Sequence, residues 1–332
     1  MSASRNVLTP EALAMMDVIA RTGSFAAAAR ELGKVPSALT YNVRQLEDAL
    51  DVLLFDRRSR QAKLTAAGEE LLNEGRRLLE QMDAVANRVK RVATGWETQL
   101  TVAVDGVISA VTVFELCEAF FALRPVGSPA SAELGDRSGP GTRLRLRSEV
   151  LAGTWEALMS GVADLAIGTG AGLDLSPTVG IQVQPLGEMA FVFAVAPHHP
   201  LAAIEGPISE AELVRHRAVA VADTAQRMSP ITVNLLPGQD VFTVANTQAK
   251  IEAQLRCLGC GYIPEPLARD HIAAGHLVVK QTERARTPVR FGYAWRSGNG
   301  PVGLGLQWWL DQLESPTTRR ALLERHGSAM AT

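Results

Sequence analysis

Cysteine is scarce in this chain of 332 residues, which has only Cys117, Cys257 and Cys260. A number so small and odd excludes the disulfide framework of a small secreted protein and favours a reducing compartment. Long apolar runs are missing too, since no stretch reaches the ~18 residues that a membrane span needs. The opening "MSASRNVLTPEALAMM" has no apolar core of the kind a secretion signal carries. The expectation is a cytoplasmic protein with no membrane partner. Net charge is small, at -2, so attraction to an anionic partner has to come from a local patch. Residues 1–63 offer one, with nine Lys and Arg against seven Asp and Glu.

Signatures of catalysis are also absent. There is no Gly-x-Ser-x-Gly elbow, no phosphate-binding loop and no His-Glu-x-x-His helix, and the acidic residues are scattered. His198 and His199 stand before Pro200 with no third ligand near, which reads as a polar turn. "CLGC" at residues 257–260 has the spacing of a redox or metal pair but no second pair to complete a site, so it reads as packing thiols. No enzyme activity, metal or cofactor is expected.

What is present is 47% hydrophobic, enough for about two or three domains with their own cores. Thr9 and Pro10 open a helix that stops at Gly23, and Ser24 caps a second, slim one through the alanines 26–29. After a turn at 33–36, Leu39, Val43, Leu46 and Leu50 recur at helical spacing, while Ser37, Thr40, Tyr41 and Arg44 fill the opposite face. These polar side chains reach about the depth of a DNA major groove. The slim helix permits a tight helix-turn-helix, and Arg57, Arg58, Arg60 and Lys63 fit a basic wing between two short extended pieces.

From Thr65 to about Thr94 the pattern is one long helix. Leu71, Leu78, Met82, Val85 and Val89 form a three-four repeat with Gly75 in the seam, as in a coiled coil that pairs two chains. "TGWETQ" breaks it. Strands and helices then alternate, which predicts α/β folding in two lobes. Residues 126–142, rich in Gly, Ser and Pro, read as a mobile surface insertion. A crevice between two such lobes suits a small molecule, with Asp105, Ser109, Thr154, Trp155, Thr224, Asn246 and Thr247 as lining candidates near strand ends and helix starts. Ser109, Thr154 and Thr247 can equally serve as helix caps. Asp105 would repel a carboxylate, which favours a neutral or phenolic ligand with Trp155 as a stacking wall.

Through "GSFAAAARELG", "SALTYNVRQLEDALDVLLFDR" and "LTAAGEELL", the first ~95 residues resemble the LysR-type transcriptional regulators. The resemblance continues through "GVADLAIG", "APHHPLA" and "LGCGYIPEPLA", and "EVLAGTWEAL" and "AVADTA" lean toward the branch responding to aromatic compounds. It implies a winged helix-turn-helix over 1–64, a dimerising linker helix over 65–95 and a two-lobed effector domain over 96–332, similar in fold to periplasmic binding proteins. Lobe I would take about 96–184 and 289–332, and lobe II about 185–288. The implied partners are double-stranded promoter DNA, a small-molecule effector between the lobes, a homodimer or homotetramer, and RNA polymerase. Ser37, Thr40, Tyr41 and Arg44 would read the groove, Ser24 would face phosphate at a helix start and Arg57 would sit in the wing. Ile263 joins the effector candidates. The Gln-Pro pair that often opens the recognition helix is here Pro36 and Ser37, so one common base contact is missing. A cytoplasmic solute-binding protein and a thiol-switched regulator stand as alternatives.

Overall fold

A computed structural model of the chain describes residues 7–56, 62–124, 140–170, 180–284, 287–297 and 301–327. The chain divides into two compact units, residues 1–89 and 90–332.

The first unit begins with α1 (Pro10–Thr22), α2 (Phe25–Glu31) and α3 (Pro36–Leu50). Thr9 caps α1 by accepting from the Ala12 N–H, and Gly23 ends it in the left-handed region at φ 66°, where a side chain would be strained. Ala28 and Ala29 of α2 are fully buried, and their small size lets the neighbouring helices close in. Leu39, Val43 and Leu46 of α3 join Met16 and Ile19 of α1 in one core, each burial contributing about 1.5–3 kcal/mol. Leu50, the last residue of the expected apolar row, is half-buried.

Two extended pieces follow, as the sequence suggests. Phe55 bridges Leu64 in antiparallel fashion, and the Asp56 N–H donates to the Lys63 carbonyl at 2.8 Å. A long helix, α4 (Ala66–Thr94), begins with Thr65 as its cap. A Cβ on Gly68 would lie 2.1 Å from the Leu54 carbonyl oxygen, so only glycine lets this helix meet the start of the wing.

Among its described residues the second unit holds three sheets. The first has the order β2-β1-β3-β10-β4, from β1 (Gln99–Asp105), β2 (Arg143–Glu149), β3 (Leu165–Thr169), β4 (Ile181–Met189) and β10 (Val289–Arg296). Strands β1, β2 and β3 are parallel, and β10 runs antiparallel to β3 and β4. Its core includes Leu100, Leu165, Ile167, Phe120 and Trp309, drawn from these strands and from α5 (Ala110–Phe121), α10 (Leu304–Glu314) and α11 (Pro316–Glu324). α6 (Ala152–Met159) packs on β3. Because β4 stays in this sheet through Met189, the chain leaves it at Ala190, later than the 185 expected.

The second sheet pairs β5 (Phe191–Val195) with β8 (Gly261–Pro264) and β9 (Val278–Lys280). β6 (Ala218–Val221) and β7 (Val241–Val244) form a parallel pair that joins β8 through the Ala218–Cys260 bridge. α7 (Glu210–Val214), α8 (Thr247–Leu255) and α9 (Glu265–Ala273) complete this lobe. The glycine-rich segment expected to be mobile falls mostly at 125–139, outside the described residues. No helix among the described residues is long and apolar enough to cross a membrane.

Candidate functional site

Two regions carry polar groups in positions where a fold gains nothing from them. The first is the outer face of α3. Ser37, Thr40, Tyr41 and Arg44 are all exposed, Tyr41 at 61%, opposite the buried row of the same helix. Thr40 turns its hydroxyl back onto the Pro36 carbonyl at 3.0 Å, and Gln45 donates to the Tyr41 hydroxyl at 2.9 Å. Ser24 caps α2 and accepts from the Ala27 N–H. Arg57, Arg58 and Arg60 lie outside the described residues.

Glu47 was not anticipated. It sits on the buried face of α3, four residues after Val43, and accepts from the N–H groups of Leu54 (2.8 Å) and Phe55 (3.3 Å). It thereby fixes the start of the wing to the helix beside it. A carboxylate in an apolar row at helical spacing was the available signal.

The apolar row of α4 divides in two. Leu71 is half-buried against the head core, and Gly75 is packed by Leu13, since a Cβ there would lie 2.9 Å from the Leu13 Cδ2. Gly75 therefore serves the head of its own chain, not a seam. Leu78, Met82, Val85 and Val89 remain exposed, by 49% to 66%.

The second region is a cavity of about 780 Å³ between the two lobes of the second unit. Its floor is made where the chain crosses between them, at Glu188, Phe191 and Pro288 to Phe291. One wall has Asp105 and Leu151, and the other has Ala220, Thr247 and Lys250. Asp105 is 5% exposed and accepts from the N–H groups of Val107 and Leu151, each at 3.0 Å. Burial outweighs these bonds and raises its carboxyl to about 7. Lys250 is also buried, and burial lowers its ammonium to about 8. Arg290 pairs with Glu188 at 3.1 Å in solvent-exposed positions.

Of the residues expected to contact a ligand, Asp105 and Thr247 line this cavity and six do not. Trp155 is not a stacking wall, because it packs into a core with Leu158, Ala166 and Ala294. Ser109 caps α5 and donates to the Arg325 carbonyl, which ties it to the C-terminal helices. Thr154 is fully buried and donates to Asp105 from within α6, which starts two residues before it. Ile263 is core, beside Ala194 and Ile251. Asn246 caps α8 by accepting from the Ala249 N–H at 2.8 Å. Thr224 bridges the lobes, donating to Glu149 at 2.7 Å and accepting from the Val150 N–H at 2.9 Å.

Thr224 belongs to a strap that sequence reasoning missed. Asp223 accepts from the Ala152 and Gly153 N–H groups at the start of α6. In return Glu156 of α6 accepts from the N–H groups of Gln226, Arg227 and Met228. Burial acts to raise the Glu156 carboxyl, yet these three donors hold it below its ordinary value. Among the described residues no group of His, Cys, Asp and Glu is placed to hold a metal ion. Cys260 is buried, which raises its thiol to about 11 and leaves little thiolate.

The comparisons with known proteins agree with this arrangement. Residues 10–69 match the bacterial regulatory helix-turn-helix proteins of the lysR family, and residues 136–315 match the LysR substrate binding domain. The chain belongs to the lysR family of transcriptional regulators. Curated LysR-type relatives include YhaJ, a probable HTH-type transcriptional regulator of Escherichia coli K12, 37% identical over 94% of this chain and 97% of its own. YeeY, an uncharacterized HTH-type transcriptional regulator of the same strain, is 35% identical over 91% of this chain and 92% of its own. Among solved structures, the LysR family regulator CbnR superposes with a TM-score of 0.56 at 18% identity, over 95% of this chain and 99% of that one. This last likeness concerns the fold.

Proposed function

We propose that this LysR-type regulator reads promoter DNA through the outer face of α3 and answers a small molecule held in the cavity between its lobes. The observation that carries the reading is the two-sided α3. Its inner row builds the head core while Ser37, Thr40, Tyr41 and Arg44 stand outward beside the wing. CbnR, similar in fold, has been solved with its target DNA. In this reading residues 1–64 form the head, 65–95 the linker and 96–332 the effector unit. Ser24 faces phosphate, and Arg57, Arg58 and Arg60 neutralise the backbone beside the groove.

The exposed row Leu78, Met82, Val85 and Val89 supports pairing of two chains through α4, because four apolar side chains at coiled-coil spacing gain from mutual burial. The working unit is a homodimer or homotetramer acting in the cytoplasm, with RNA polymerase as its partner at the promoter. A ligand that binds one lobe arrangement better than another shifts the population of that arrangement, and the linker passes the bias to the heads.

Arg44→Ala tests the assignment. Operator affinity in a mobility-shift titration should fall by about tenfold or more, with relaxed preference at one base pair. Unchanged affinity and base preference would remove Arg44 from the reading face.

A further inference from the structure

Three observations converge on one side chain of the cavity. Lys250 is only 7% exposed, lines the cavity and belongs to the same helix face as Thr247 and Gln254. Its ammonium has no hydrogen bond or ion pair among the described residues, and the one group acting to keep its proton is the weak acid Cys260. Asp105, across the same cavity, makes no ion pair with it and accepts backbone N–H groups on both carboxylate oxygens. A buried ammonium with no counter-charge is costly, and folds retain such groups where a partner arrives from outside.

The setting of Lys250 narrows that partner. It lies in the first turn of the nine-residue α8, where the N–H groups of Thr247 and Gln248 have no intrahelical acceptor. One ammonium and two such donors suit a single negative charge on planar oxygens. The rest of the cavity is mostly apolar, with Val107, Leu151, Phe191 and Phe291 around it. Its volume is in the range of sites that enclose whole small organic molecules.

We propose that the effector is a monocarboxylate with an apolar body, its carboxylate seated on Lys250 and the start of α8. This rests on the cavity being the effector site, and it reverses the expectation of a neutral ligand drawn from Asp105 alone. A carboxylate gains at Lys250 what it would lose beside Asp105, because the two charges stand on opposite walls.

The test is thermal unfolding of the full chain with matched acid and amide pairs: benzoate and benzamide, phenylacetate and phenylacetamide, hexanoate and hexanamide. Sodium chloride controls for ionic strength, and phenyl phosphate serves as a dianionic probe. At least one acid should raise the Tm of the wild type by about 3 °C at concentrations well above its Kd, and its amide should not. Lys250→Met and Lys250→Gln should each lose that shift while their ligand-free Tm stays at or above the wild type. Acids that still stabilise both variants, amides that match the acids, or phenyl phosphate that exceeds them would overturn the proposal. So would a drop of several degrees in both ligand-free variants, which would make Lys250 a structural residue. Amides that stabilise wild type and variants alike would leave the cavity as the effector site and remove the carboxylate. No shift with any probe would count against both readings.

Discussion

The head and the effector unit expose opposite solutions to the same demand. In the head, the surface proposed to meet DNA is the outward row of α3, and each of its residues is within one turn of a core residue that holds it in place. In the effector unit, the groups around the proposed ligand cavity are buried and come from distant parts of the chain, as with Asp105, Lys250 and Phe291. A macromolecular partner needs a surface, which a single amphipathic helix supplies cheaply. A small ligand needs enclosure, and enclosure buries charges that the fold would be more stable without.

The sharpest way to break this contrast is to titrate the polar interior of the effector unit. Asp105 keeps its proton up to about 7 in the folded chain, against an ordinary 3.8. Between those values the fold holds a proton that the unfolded chain has released, so stability falls as pH rises through the window. The loss amounts to roughly 4 kcal/mol across the full range, an upper figure given the size of the shift. Asp105→Asn should remove most of that slope, so the stability of wild type relative to the variant should decline between about pH 4 and 7 in chemical denaturation. A constant difference across that range would mean that Asp105 is ordinary and the contrast overstated.

The head makes the complementary demand. Leu46 is fully buried between the helices that set α3 in place. Leu46→Ala should cost about 3 kcal/mol of head stability in urea unfolding, with operator binding weakened in step. Retention of full operator affinity with the expected loss of stability would show that the reading face does not depend on its core. A smaller effect concerns Cys257, which follows α8 in the left-handed region at φ 58°. Cys257→Gly should stabilise the chain by about 1 kcal/mol, since glycine takes that conformation without strain. A loss of stability instead would show that packing of the thiol outweighs backbone relief.

How much could be read from residues alone follows the same division. The caps Thr9 and Ser24, the stop at Gly23, the inner row of α3 and the extent of α4 all follow from local periodicity and capping chemistry, and these hold in the structure. So does the alternation of strands and helices in the second unit. Which residues line the cavity did not follow, because facing is decided by tertiary packing. Trp155 and Ile263 carry apolar side chains that satisfy a core as well as a pocket, and the core took them. Ser109 and Asn246 went to caps, the weaker demand in a ligand argument but the nearer one in space. Lys250 was legible in principle as a charge three residues from Thr247 and beside Ile251 on one helix face. Asp223 and Glu156 were not, since each meets backbone N–H groups about 70 residues away.

The two crossings between the lobes start from paired residues. Val289 lies opposite Met189 in the first sheet, and on the other side Phe193 lies opposite Lys280. Apart from these crossings, the lobes are tied by Asp223, Thr224 and Glu156, whose partners are N–H groups and a carboxylate of the opposite lobe. One tie is covalent and the other is a set of polar bonds that water can replace. Separating the lobes therefore means undoing the polar set, while the chain crossings stay whole.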